Sequence, residues 1–511
     1  MAASSRVTRS RVTRAAVAAG HALTADAAAM VLAEGGTVVD AAIAALWTAC
    51  VCEPVLASPG GGGFASILAR GKRAEVLDFF VDAPGAKRRE EEIEFAEVHA
   101  DFGTTTQGFH VGAGASAVPG FVPGLFELHA RHARLPMRVL AEPAIAAARD
   151  GFTVSPFQAH LFEVVAPILT FTPDAARLFG KTQEGGSVHA AGATLRNPDL
   201  ADALDAIARE GARIATHGEI AALMAEQSTA HGGHLRRDDM QAYRPAWREP
   251  VEARLADVTV STNPPPALGG ALVSAMCSEL HASGPRGLPL ALARAVDAVD
   301  RFWRQAPQDA GRLLARAASG GHVSQRGTTH VSIVDADANA IAITVSNGEG
   351  NGRLVDGCGF MINNMLGEED VNPGGFHAWT PGERLSSMMA PSVGRWRDGG
   401  ALALGSGGSN RIRTAILQVL ANIALRRLHL PHAVSAPRLH VERGFLDFED
   451  LLVDELFEEA DRRTLVEAFG DHRGWAKPSL YFGGVHAAAL TTRGGLEAAG
   501  DHRREGVGRI C

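Results

Sequence analysis

This sequence predicts an α/β (α+β) fold, on three observations. Apolar stretches with helical spacing lie on both sides of strand-rich segments. Residues 329–335 and 340–346 carry the branched content and alternation of two strands. Glycine and proline clusters punctuate the boundaries. The length of 511 residues suggests roughly three units of ~150 residues. With 46% hydrophobic and 21% charged residues the chain can bury a core, which excludes disorder over most of its length. Its net charge of −8 argues against non-specific nucleic-acid binding. No run of ~18 apolar residues predicts a membrane span. Cys50, Cys52, Cys277, Cys358 and Cys511 form no C-x-x-C pair and read as reduced, mostly buried thiols. The 57 glycines exceed the ~7% average, and each costs backbone entropy on folding, so they ask for a reason.

Residues 1–14 hold Arg6, Arg9, Arg11 and Arg14, with no apolar run and cleavage site behind them. They read as a solvated tail, and a cytoplasmic location is the expectation. Residues 21–50 predict two helices broken at Gly35-Gly36, with Thr37 capping the second. A glycine loop follows at Gly60–Gly63, then two strands within 64–70 and 73–81, and a charged, irregular stretch over 85–110. Val118-Pro119-Gly120 and Val122-Pro123-Gly124 mark turns. A long helical zone then runs to about residue 240, broken at Gly151 and by a strand-like segment at 187–196. Asn263-Pro264-Pro265-Pro266 can be neither helix nor central strand. Gly269-Gly270 opens a helix at 271–283, and residues 305–327 turn polar and loop-like. After the strand pair at 329–346, a further strand at 401–404 runs into Gly405–Asn410 and a helix at 412–426.

Several chemistries can be set aside. Ser406 and Ser409 do not have the G-x-S-x-G spacing of a nucleophile elbow. The Gly60–Gly63 run lacks the lysine of a phosphate loop, and no H-E-x-x-H occurs. His231-Gly232-Gly233-His234 reads as a turn, and no metal site is expected.

The segments that remain resemble the gamma-glutamyltransferase (gamma-glutamyltranspeptidase) family of N-terminal-nucleophile hydrolases. They are Gly35-Gly36 with Val39-Asp40-Ala41-Ala42, Glu53-Pro54 with Gly60–Phe64, Val118-Pro119-Gly120, and Pro264–Pro266 with Gly269-Gly270. Beyond them come Thr328-Thr329-His330, Asn363-Asn364, Leu385-Ser386-Ser387-Met388, Gly405–Arg411, Ala436-Pro437-Arg438 and Gly483-Gly484-Val485. Their order and spacing span nearly the whole chain.

The resemblance implies a four-layer αββα sandwich and self-cleavage at Gly327–Thr328. That cut would leave residues 15–327 and 328–511 as two self-associated parts of one intertwined domain. The chemistry has its own logic. A threonine hydroxyl needs a base, and an N-terminal threonine carries one in its freed α-amino group, of ordinary pKa ~7.7–8.0. No cofactor is needed. The family's oxyanion hole falls on Gly408 and Ser409, or on Gly407 and Gly408 with a one-residue shift. Substrate-binding positions map to Phe80, Ser346, Asn347, Glu368, Ser386 and Ser387.

The sequence departs from the family at the substrate carboxylate. Phe80 stands where the family has an arginine, and phenylalanine cannot clamp a carboxylate. Arg353 is a possible substitute, though it reads better as an exposed loop residue. Gly348 and Met365 replace an asparagine and a glutamine. The stretch between Glu368 and Ser386 is short, so a reduced lid would favour hydrolysis over transfer. The expected substrate is a small amide or peptide, gamma-glutamyl by default. The alternatives are another acyl group, as in the cephalosporin acylases and an oxamate amidohydrolase, or a catalytically silent homologue.

Overall fold

A computed structural model describes residues 13–101, 106–180, 188–281, 287–305, 327–369, 371–372, 374–454 and 456–511. The expected tail therefore lies outside the described residues except for its last two. The loop-like 305–327 also lies outside, save its two ends.

Two antiparallel sheets form the centre. The first has seven strands, in the order Val507–Ile510, Ala15–Ala19, Thr328–Asp335, Ala340–Ser346, Gly62–Leu68, Glu75–Phe79 and Ala246–Arg248. The second has six, in the order Leu496–Ala499, Gly484–Leu490, Ala401–Gly407, Ser392–Trp396, Val258–Thr262 and Val251–Leu255. Strands from both sides of residue 328 are interleaved in the first sheet and meet side by side in the second, at Ser392–Trp396 and Val258–Thr262, so each sheet contains both.

The period of two along each strand explains how the sheets pack. In Thr328–Asp335, Val331 and Ile333 share one apolar cluster with the helices Ala22–Ala33 and Val38–Cys52. Val334, on the opposite face, joins a small cluster with Ala16, Ala340, Ala342, Val393, Ala401, Ala403 and Ala488, drawn from both sheets. The second sheet repeats the rule. Leu402 and Leu404 pack with the helices Gly269–Leu280 and Arg411–Ala424, while Ala401 and Ala403 face the first sheet. Large side chains thus face helices and small ones face the other sheet, which lets the two sheets approach closely.

Several predicted elements are present: the helices broken at Gly35-Gly36, the strands around 64–80 and 328–346, and the strand and helix around Gly405–Asn410. Thr37 caps its helix, accepting from Asp40 N while the Asp40 carboxylate takes the Thr37 N–H. The stretch at 85–110 is corrected. Ala96–Asp101 and Thr106–Val111 pair as a hairpin, which its charged, short-period sequence hid.

The inter-sheet layer tolerates no bulk. Ala403→Leu should lower the unfolding free energy by about 2 kcal/mol, the scale of overpacking a close-packed core. Urea denaturation followed by far-UV circular dichroism checks this.

Candidate active site

Strand register brings the site residues to one end of the sandwich. Thr328 pairs with Ser346, and Ser346 pairs with Gly62 on the next strand. Across the sheets, a Cβ built on Gly407 would stand 2.4 Å from the Thr328 carbonyl oxygen. Two residues further along, one built on Gly405 would stand 2.3 Å from the His330 ring. The strand Ala401–Gly407 therefore needs glycine at 405 and 407, where it crosses Thr328–Asp335.

The Gly327–Thr328 bond is tightly held. Ser346 Oγ donates to the Gly327 carbonyl at 2.5 Å and accepts from Gly348 N at 3.0 Å. Gly327 N donates to Glu349 Oε1 at 3.1 Å. A Cβ at Gly327 would meet the Gly348 carbonyl at 2.1 Å and the Val55 carbonyl at 2.7 Å, so only glycine fits before Thr328. His330 is buried and fully bonded. Ser332 Oγ donates to the His486 carbonyl, so it accepts from His330 Nε2, and Thr344 Oγ1 donates to Nδ1. Burial holds this imidazole well below its usual range, hence neutral.

A pocket of about 390 Å³, open to solvent, adjoins Thr328. Phe80, Ser346, Glu368, Ser387 and Ser409 line it, as the sequence predicts for residues drawn from five separate segments. Met365, Val371, Met388, Met389 and Ile412 complete the wall. None of the described residues that line it is a lysine or arginine. Phe80 is buried and stacks on Phe64 with ring centroids 5.5 Å apart.

Other expected residues fall elsewhere. Ser386 lines an adjoining pocket with Trp379 and Arg384, sharing only Val371 with the first. Asn347 is fully buried and does not line the pocket beside Thr328. Its backbone carbonyl accepts from Gly350 N, and its side-chain amide has no partner among the described residues. Arg353 is mostly buried rather than exposed and forms a two-point ion pair with Glu94, which removes it as a clamp. His231–His234 form a turn, with His234 Nδ1 accepting from Arg88 N. In the glycine turn, Gly408 takes φ +121° and Ser409 φ +53°, and no acceptor among the described residues takes the Gly408 N–H.

Sequence reasoning missed the buried carboxyl beneath Thr329. Glu53 accepts from Thr329 Oγ1 and Thr24 Oγ1, both at 2.7 Å. Burial pushes it up to about 7 from an ordinary 4.5, against those two hydrogen bonds. Between those values the native chain holds a proton that the unfolded chain has released, so the stability this group contributes falls as pH rises. Glu53→Gln should therefore gain about 3 kcal/mol on the parent between pH 4.5 and pH 8 in urea denaturation. A pH-independent difference would contradict the raised value.

Comparisons with known proteins agree with this geometry. The sequence profile of the gamma-glutamyltranspeptidase family matches residues 24–282 and 297–511. The chain is 31% identical to a glutathione hydrolase proenzyme of Pseudomonas aeruginosa, over 100% of this chain and 97% of that one. It is 30% identical to the Acylase ACY 1 proenzyme of Pseudomonas sp. strain SE83, over 97% and 93%. The fold matches the cephalosporin acylase of Bacillus halodurans with a TM-score of 0.80 at 22% identity, over 100% and 99%.

Proposed function

We infer the activity from a premise now in hand: this chain belongs to the gamma-glutamyltranspeptidase family. The function proposed is that of an autoprocessed amidohydrolase, working through a threonyl acyl-enzyme on an acyl group that lacks an α-carboxylate. One observation carries the choice of acyl group. The pocket beside Thr328 is walled by Phe80, Met365, Val371, Met388, Met389 and Ile412, with no cation among the described residues that line it. Arg384, which lines the adjoining pocket, is engaged by Asp78 and Asp82.

The fold proposed is the αββα sandwich of N-terminal-nucleophile hydrolases. Its support is the inter-sheet cluster between two helix-backed sheets. Cleavage at Gly327–Thr328 would divide one intertwined domain into parts that stay together, because each sheet pairs strands from both. The word proenzyme in the names of the two relatives supports processing.

The chemistry follows from the geometry. Thr328 is released from its amide to Gly327 and gains an amine. That amine takes the hydroxyl proton as Thr328 Oγ attacks the substrate carbonyl. The Gly408 N–H and a neighbour, Gly407 or Ser409, hold the tetrahedral oxyanion, where one donor is worth roughly 3 kcal/mol. The amine leaves with a proton, and water hydrolyses the ester. Ser346, which holds the Gly327 carbonyl before cleavage, is placed to orient Thr328 afterwards.

A second reading, gamma-glutamyl hydrolysis, has one observation behind it. Glu368 lines the pocket and Ser387 stands beside it, as an amine-holding side would require.

Thr328→Ala should remain one chain by intact mass while the parent appears as two, and two chains in the variant would remove Thr328 as nucleophile. Against a panel of p-nitroanilides, the parent should hydrolyse apolar acyl groups faster than gamma-glutamyl, with no large gain from added glycylglycine. A preference for gamma-glutamyl, or a large gain from the dipeptide, would favour the second reading or transfer.

A further inference from the structure

Arg504 lies in a short turn, His502–Arg504, far in sequence from every motif of the site, and is only 4% exposed. Its side chain runs across Gly484, where a built Cβ would stand 2.4 Å from Arg504 Cδ. Its guanidinium ends against the glycine turn. Nη1 lies 3.1 Å from a Cβ built on Gly407, and Nη2 lies 3.5 Å from one built on Gly408. The Cβ built on Gly407 is also 2.4 Å from the Thr328 carbonyl oxygen. The Arg504 guanidinium and the Thr328 carbonyl thus border the same space beside Gly407, at the start of the glycine turn.

The charge around it does not balance. Arg438 pairs with Asp501 at 2.5 Å, and Arg503 pairs with Asp501 at 3.2 Å and with Glu449. These two carboxylates are shared by the two paired arginines, and Arg504 is a third cation in the cluster. Among the described residues it forms no ion pair, and its buried Nε has no hydrogen-bond partner. Burial and the neighbouring Arg438 pull it down to about 10 against the attraction of Asp501, which leaves it charged at neutral pH. His486, beside it, is held at about 4 by burial and stays neutral. A buried cation without a partner is costly, and an anion forming close by relieves that cost.

We propose that Arg504 is a positioning residue for the acyl-transfer reaction, its surplus charge acting through the Gly407–Gly408 backbone to stabilise the oxyanion formed at Thr328. The proposal rests on the amidohydrolase reading above. When the Thr328 Oγ–carbon bond forms, the carbonyl π pair moves onto oxygen, and it returns as the carbon–nitrogen bond breaks. Arg504 meets a neutral carbonyl before that step and an anion during it, so its effect falls on the transition state rather than on substrate binding. The glycines at 407, 408 and 484 then have a second purpose, since they make room for this side chain.

The test compares Arg504→Lys, Arg504→Gln and Arg504→Met in the full, processed protein with the parent. The substrate is a hexanoyl p-nitroanilide, and the probe is phenylboronic acid, which forms an anionic tetrahedral adduct with a threonine hydroxyl. The neutral variants should lose about 30-fold in kcat with KM within about twofold, less than a direct oxyanion donor costs. They should also bind phenylboronic acid about tenfold more weakly. Arg504→Lys should keep kcat within about threefold. Unchanged kcat in Arg504→Gln, a loss confined to KM, or equal losses in the Lys and Gln variants would overturn the proposal. If neither neutral variant folds, Arg504→Lys decides alone, and a tenfold loss of kcat there overturns it. A parent that hydrolyses no amide in the panel sinks the activity reading instead, and phenylboronic acid affinity then ranks the four proteins.

Discussion

The contact of Gly407 with the carbonyl of Thr328 is the constraint on which the site depends. Two sheets must come close enough at one end for backbone to touch backbone. The alanines at 16, 340, 342, 401, 403 and 488 hold them at that spacing along the strands, while Val331, Ile333, Leu402 and Leu404 face the helices outside. The same parity puts Thr328 and His330 on the inner face and Thr329 on the outer one, where Glu53 receives its hydroxyl. Once the register Thr328–Ser346–Gly62 is set, the glycine loop, the Ser346 hydroxyl and the Gly327 carbonyl are neighbours without further adjustment.

Charge is arranged around this contact with unusual separation. Asp78 is fully buried and held by Arg248 and Arg384, and Asp82 takes a further bond from Arg384. Among the described residues, those pairs engage the arginines beside the substrate side, and the pocket lining holds one carboxylate, Glu368, among largely apolar walls. Behind the glycine turn the opposite holds. There Arg438, Arg503 and Arg504 outnumber Asp501 and Glu449. A pocket poor in positive charge and a turn backed by it suit a reaction in which negative charge develops on the substrate oxygen rather than arriving with the substrate.

The sequence made part of this legible, for identifiable reasons. Thr328–Asp335 and Ala340–Ser346 alternate branched and small residues and so read as strands. Ala15–Ala19 and Gly484–Leu490 did not, because alanine-rich strands in a close inter-sheet layer have little hydrophobic contrast between faces. Thr328, Phe80, Ser346, Glu368, Ser387 and Ser409 were found through the order of short motifs, and the fold brings them to one pocket. Asn347 and Ser386 came from the same motifs and lie outside it, since a motif gives a position on a strand or loop but not the direction of its side chain. Glu53 lay in the Glu53-Pro54 motif with nothing local to show its role, and Arg504 lay outside the motifs. Thr329 is 276 residues from Glu53, and the glycine turn is brought to Arg504 only by the sheet, so the assembled fold reveals both.

The central claim is that this site becomes competent when Thr328 acquires a free amine. N-terminal sequencing of the purified protein's smaller chain tests it most directly. The expected sequence begins Thr-Thr-His-Val, with Thr328 first. A smaller chain beginning at any other residue, or a fully active protein that remains one uncut chain, would contradict it.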